Sequence, residues 1–153
     1  MVRRINAAGL SHIKKWEGCK LKAYLDVAGV LTIGYGSTGK HVKPGMVITE
    51  AEAEALLRKD LDRFERAVER LVAVKLSDNQ FAALVSFAFN VGIGAFEEST
   101  LLRKLNDGNY PAVPSELMKW VNAGGRKVQG LVNRRKSEGD MWRSQKPVRP
   151  VPA

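Results

Sequence analysis

Glu17 and Asp26 offer two carboxyls of the type that can break a glycosidic bond, with Thr32 on the strand that follows them. That reaction needs one carboxyl that keeps its proton, to protonate the leaving oxygen. It needs a second that stays ionised, to activate water or attack the sugar. The stretch WEGCKLKAYLDVAGVLTIGYG, residues 16–36, holds two carboxyls in unlike settings. Ile5, Leu10, Ile13 and Trp16 recur at spacings near three, which predicts a short helix ending at Glu17, with Asn6 as N-cap and Gly18 as left-handed terminator. The partial negative charge at the end of a helix disfavours a carboxylate, and partial burial beside Trp16 acts in the same direction. Asp26 opens the turn Asp26-Val27-Ala28-Gly29, where water and backbone N–H groups keep a carboxylate ionised. Taken singly, a helix-end Glu and a turn Asp have plainer readings.

The elements that must position these residues follow from periodicity. Residues 20–25 and 30–35 read as two strands around the Asp26 turn, and alternation puts Leu31, Ile33 and Tyr35 on one face and Thr32 on the other. Thr49 and Glu52 form a capping box before a long helix whose apolar stripe is Leu57, Leu61, Phe64, Val68 and Leu71. Glu54, Arg58, Asp62, Glu65 and Glu69 opposite read as a solvated face. Ser77 and Gln80 form a second box, and residues 81–91 are apolar all round, as in a helix buried on every side. Ser99 or Thr100 caps a further helix ended by Asp107-Gly108. Residues 115–121 read as a short helix stopped by Gly124-Gly125, and residues 131–142 as a last one weakened by Gly139. With strands only before residue 50, the fold class is α+β and mainly helical.

Composition narrows the function. With 153 residues and 44% hydrophobic content the chain can bury a core as one compact domain. Cys19 stands alone, so no internal disulfide forms and a reducing compartment is expected. No apolar run suits a signal peptide or a bilayer span, so no export signal or anchor is read here. The net charge of +9 favours polyanions: nucleic acid, anionic lipid or an acidic envelope. Zinc spacing, RNA-binding aromatics and a reading helix are all lacking, which argues against nucleic acid. Gly34, Gly36 and Gly39 are followed by no Lys-Ser or Lys-Thr pair, so they form no phosphate loop. Metal and cofactor motifs are absent too, and acid–base work on a glycoside needs neither. His12 and His41 read as surface residues. The tail, with Pro147, Pro150 and Pro152, reads as extended and mobile.

Residues 16–36 resemble the active-site region of phage-type lysozymes, the endolysins of glycoside hydrolase family twenty-four. In that family a Glu, an Asp nine residues later and a Thr six residues beyond form the catalytic set, and Glu17, Asp26 and Thr32 match it. Residues 76–106 resemble the family's core helices and residues 123–142 its closing segment. The resemblance spans about residues 5–143. It implies a lysozyme-like fold of two lobes: a small one with an antiparallel sheet at about 1–50, and a helical one at about 51–146. A long helix joins them, the glycan lies in the cleft between them, and 147–153 is a flexible tail. The implied activity is hydrolysis of the β-1,4 bond between N-acetylmuramic acid and N-acetylglucosamine, with Glu17 as general acid and Asp26, aided by Thr32, serving water. The family is usually described as inverting, which calls for carboxyl groups roughly 6.5–9.5 Å apart. The resemblance further implies a monomer made in the host bacterial cytoplasm, which depends on a holin to reach peptidoglycan after the membrane is permeabilised.

Two departures stand out. Many members have a histidine where this chain has Ser37, and that histidine can form a structural ion pair. Cys19, two residues after the acid, is read as an inert thiol whose bulky modification would hinder the cleft. The basic set Arg126, Lys127, Arg134, Arg135 and Lys136 has three readings: a solvated face, pairing of Arg134 or Arg135 with an acid of the first helix region, or binding to an anionic envelope surface. A lytic transglycosylase acting on the same bond is an alternative, which the presence of Asp26 and Thr32 disfavours. A basic membrane-disrupting protein without enzymatic activity is another.

Overall fold

The computed structural model describes residues 3–144, and the tail expected at 147–153 lies outside them. The chain divides into two compact units, Ser11–Arg63 and Met1–Leu10 with Phe64–Ala153.

The expected helix α1 spans Ala7–Glu17 and contributes residues to both units. Asn6 caps it, its Oδ1 accepting from the Gly9 N–H at 2.8 Å. Gly18, at φ +69°, ends it as the left-handed terminator. Strands β1 (Lys20–Leu25), β2 (Leu31–Gly34) and β3 (Ser37–Thr38) follow as an antiparallel sheet in sequential order. β3 had no signal in the sequence, because two residues are too few for a period to show. Under the sheet lies a small core of Ile33, Val42, Ile48 and Ala53, with Ala23, Leu31 and Tyr35 against it. The apolar face read from alternation in β2 is therefore the inner one. The far edge of β1 is covered by residues 46–48: Ala23 N–H donates to Met46 O and Ile48 N–H to Leu21 O, both at 2.9 Å.

Helix α2 spans Glu50–Leu71 and contributes residues to both units. Its capping box forms as read, with Thr49 N–H to Glu52 Oε1 at 2.9 Å and Glu52 N–H to Thr49 Oγ1 at 3.1 Å. Leu57, Leu61, Phe64 and Val68 are buried. The opposite face is not all solvated: Glu65 is 2% exposed and accepts from the Ile5 N–H at 2.7 Å and from Arg4 Nη1 at 2.9 Å. This correction has a simple cause. The N-terminal segment lies against that turn of the helix, and residues 60 positions away cannot register in a local period.

The helical unit is built on α3, Asp78–Val91. The Ser77–Gln80 capping box starts it, and every residue from Phe81 to Ala88 is buried. Phe87 meets Phe96 and Trp120 edge-on, with centroids 6.2 and 5.5 Å away. Then come α4 (Ile93–Glu98), α5 (Thr100–Asn106), a 3₁₀ turn at Tyr110–Ala112, α6 (Val113–Leu117), β4 (Asn122–Ala123), β5 (Arg126–Lys127) and α7 (Gln129–Ser144). Ser99 is the cap of α5, its Oγ accepting from Leu102 N–H at 3.1 Å. α4 went unread because Gly92 gives it no side-chain cap and only Phe96 is buried. The helix expected at 115–121 is also corrected. It begins two residues earlier and stops at Leu117, and Asn122–Ala123 instead pairs with Arg126–Lys127. Gly124 and Gly125, at φ +59° and +76°, are therefore a hairpin turn with two left-handed residues rather than a helix stop, and strands do occur after residue 50. Gly139 is no weak point in α7: it is buried, and a Cβ there would lie 3.7 Å from Pro114 Cβ.

Packing within this unit yields a stability prediction at Gly9. A Cβ there would lie 2.5 Å from Ala82 Cβ and 2.5 Å from Ile5 Cγ1, with both neighbours buried. Alanine gains about 1 kcal/mol in helix propensity, but overpacking costs about 1–3 kcal/mol. Gly9→Ala is expected to lower the unfolding free energy by about 1 kcal/mol, read from the urea midpoint at unchanged m-value.

Candidate active site

Glu17, Asp26 and Thr32 all belong to the compact unit Ser11–Arg63. Glu17 ends α1 and is half-buried, as is Trp16 before it. The chain comes back to it at Gly36, whose φ of +91° suits only glycine; a Cβ there would lie 3.9 Å from Glu17 Oε1. Asp26 sits at the tip of the β1–β2 hairpin. Its Oδ1 accepts from Ala28 N–H at 2.9 Å and Val30 N–H at 2.8 Å, so the turn's own backbone fixes the carboxylate and leaves Oδ2 clear of those bonds. Thr32 is 4% exposed, and its Oγ1–H donates to Val30 O at 2.9 Å. With its proton spent there, this hydroxyl can only accept from a water molecule or a sugar hydroxyl. Asp26 and Thr32 are thus tied to the same residue, Val30, by amide and carbonyl.

Around them lie groups that the sequence did not assign. Ser37, 2% exposed, stands 2.9 Å from His41 Nε2 through its Oγ, and its hydroxyl acts on the carboxyl of Asp60 of α2. The position that departs from the family pattern therefore carries a polar chain, Asp60–Ser37–His41. His41 is exposed, as read, and only its four-residue spacing from Ser37 hinted at the contact. His12 is a correction: it is 8% exposed, edge-on to Trp16 with centroids 6.2 Å apart. Tyr35, half-buried, carries a hydroxyl whose pKa is raised by burial and by the adjacent Cys19 thiol. Lys14 pairs with Glu54, which also meets Arg58 at 3.3 Å; Lys14 first and Arg58 second hold the Glu54 carboxyl below its usual range.

Burial pushes the Asp60 carboxyl above its ordinary 3.8, against the pull of the Ser37 hydroxyl, His41, Arg63 and Lys59. Raised in the fold, it contributes stability that is fully present below the unfolded pKa and lost as pH rises through the folded pKa. Asp60→Asn keeps an acceptor for Ser37 and removes that loss. The variant is expected to gain in melting temperature over wild type at pH 7, with the difference closing below pH 4, where both side chains are neutral.

In the helical unit, two of the five basic residues are not a solvated face. Arg134 and Arg135 are 5% and 0% exposed and pair within α7 with Glu138, itself 0% exposed, at 3.5 and 3.0 Å. Glu138 Oε2 accepts from Ser86 Oγ at 2.6 Å; Arg135 donates to Asn90 and lies over the Phe87 ring at 5.0 Å. Arg126, Lys127 and Lys136 are exposed.

An α+β chain with a short antiparallel sheet in one unit and a buried central helix in the other has a lysozyme-like fold, and comparison with known proteins agrees. The muramidase domain of SpmX from Asticaccaulis excentricus superposes with a TM-score of 0.86 at 37% identity, over 94% of this chain and 100% of that one. The endolysin of Salmonella phage P22 is 41% identical over 145 residues, 92% of this chain and 99% of the relative. The endolysin of Bacillus phage B103 is 47% identical over 140 residues, 90% of this chain but 53% of the relative, so the chain spans about half the length of that protein. The phage lysozyme family model matches residues 14–138. The chain belongs to the phage lysozyme family.

Proposed function

We propose that this chain is an endolysin with muramidase activity, hydrolysing the β-1,4 bond between N-acetylmuramic acid and N-acetylglucosamine in bacterial peptidoglycan. The observation that carries the reading is the held carboxylate of Asp26, beside Thr32 on the next strand and in the same compact unit as the helix-end carboxyl of Glu17. That the SpmX neighbour is described as a muramidase domain supports it.

In this mechanism Glu17 gives its proton to the glycosidic oxygen as the bond to the anomeric carbon breaks, so the electron pair of that bond leaves on a neutral hydroxyl. Water attacks the same carbon; Asp26 accepts one of its protons at Oδ2, and Thr32 Oγ1 accepts a hydrogen bond from the other. The two backbone amides on Oδ1 keep the carboxylate from turning away as charge moves. No metal or cofactor takes part. The protein acts as a monomer and reaches the wall through a membrane opened by a holin, which is part of the same proposal.

Mass spectrometry of released muropeptides tests the reaction. A muramidase is expected to give saturated reducing ends with one water added per cleavage. Products lighter by one water, with a 1,6-anhydro end, would make it a lytic transglycosylase instead. Death of whole cells without any cleaved strands would make it a membrane-damaging basic protein.

A further inference from the structure

The outer face of β1 carries a row of charge with no internal use. Ala23 packs beneath the sheet against the Ile33 cluster, so the pleat turns its neighbours Lys22 and Tyr24 to the other face. Tyr24 is opposite Thr32 and Lys20 opposite Gly34, which puts both on the Thr32 face; the register shifts between them, where Lys22 bridges Val47. Lys20, Lys22 and Tyr24 thus lie behind Asp26 on the face that also carries Thr32. All three are exposed. Between Glu17 and Glu50 the chain has one acid, Asp26, against Lys20, Lys22, Lys40 and Lys43. Three other lysines are paired, Lys14 with Glu54, and Lys104 and Lys119 with Glu116 at 2.9 and 2.8 Å. Neither Lys20 nor Lys22 forms an ion pair with a described residue, and both ammonium groups are open to a ligand.

We infer that Lys20 and Lys22 bind the carboxylates of the stem peptide attached to the glycan strand. This rests on the muramidase reading, since a strand held at Asp26 and Thr32 runs past this row. Stem peptides branch from the muramyl residues and carry free carboxylates, so a strand in that place sets anions beside unpaired cations. The contact is solvent-exposed, so it acts on binding more than on the chemical step, and salt weakens it.

The test measures binding to soluble glycan strands, either intact or stripped of peptides by an amidase, which leaves the sugar chain and its lactyl carboxylates. Glu17→Gln is the background, so bound strands stay whole. In low salt, adding Lys20→Gln with Lys22→Gln is expected to weaken binding to intact strands about fivefold, and binding to stripped strands by much less. Lys40→Gln with Lys43→Gln, the same change in net charge, is the control and is expected to have little effect. Equal weakening on both kinds of strand, an equal effect from the control pair, or no effect would each overturn the inference. So would a loss of binding confined to vesicles of phosphatidylglycerol, which would assign the row to lipid. Because this readout needs no turnover, absence of cleavage by wild type would sink the muramidase reading while the stem-peptide contact was still measured.

Discussion

Replacing Glu17 with Gln is expected to slow the release of reducing ends from purified peptidoglycan by about 10²–10⁴-fold, the usual contribution of a positioned general acid. The substitution keeps the size and shape of a half-buried side chain at the end of α1. Circular dichroism and the unfolding midpoint should therefore stay close to wild type, and the loss should fall on kcat rather than KM. A second readout separates proton donation from mere crowding of the site. A substrate with an aryl leaving group needs no proton on departure and should lose far less. A folded variant that still cleaves natural strands within tenfold of wild type would remove Glu17 from the mechanism. If neither protein cleaves but cells still die, the membrane-damaging reading stands in its place.

Glu138→Ala is expected to produce the largest loss of stability. It leaves the Arg135 guanidinium, 0% exposed, without its only carboxylate partner among the described residues, and takes away the Glu138 oxygen that accepts from the Ser86 hydroxyl. Breaking a buried pair from one side costs about 3–5 kcal/mol, or about 10 °C in melting temperature for a chain of this size. Burial pushes the Glu138 carboxyl up, while Arg135, the Ser86 hydroxyl and Arg134 pull it back. Burial lowers the Arg135 pKa as well, yet a guanidinium does not give up its proton in the range where the protein folds, so the charge must be matched rather than removed. The double change Arg135→Met with Glu138→Leu is accordingly expected to recover most of the loss, because it removes both charges and fills the space. A melting temperature of Glu138→Ala within 2 °C of wild type would show that the pair does not support α7 against α3.

The parts of this molecule that were legible in its sequence are those held by short-range contacts. Asn6 to Gly9, Thr49 to Glu52, Ser77 to Gln80 and Ser99 to Leu102 are caps closed across three residues. Asp26 closes its own turn across two and four residues. The spacing of Glu17, Asp26 and Thr32 was visible for the same reason, since a helix end, a hairpin tip and the returning strand are each written within a few positions.

Tertiary structure decided which polar residues go inside, because water is excluded by elements remote in sequence. Glu65 reads as surface until the N-terminal segment lies on it, and Arg135 reads as part of a basic face until α3 supplies Asn90 and the Phe87 ring. Ser37 looks like a lost histidine until His41 and Asp60 meet it. The sequence by itself determined the helices with strong caps and stripes, the hairpin and the candidate acid and base. Only the packed chain decided the hairpin at Gly124-Gly125, the buried ionic network and the open lysine row on β1, because burial and pairing depend on partners that no local window contains.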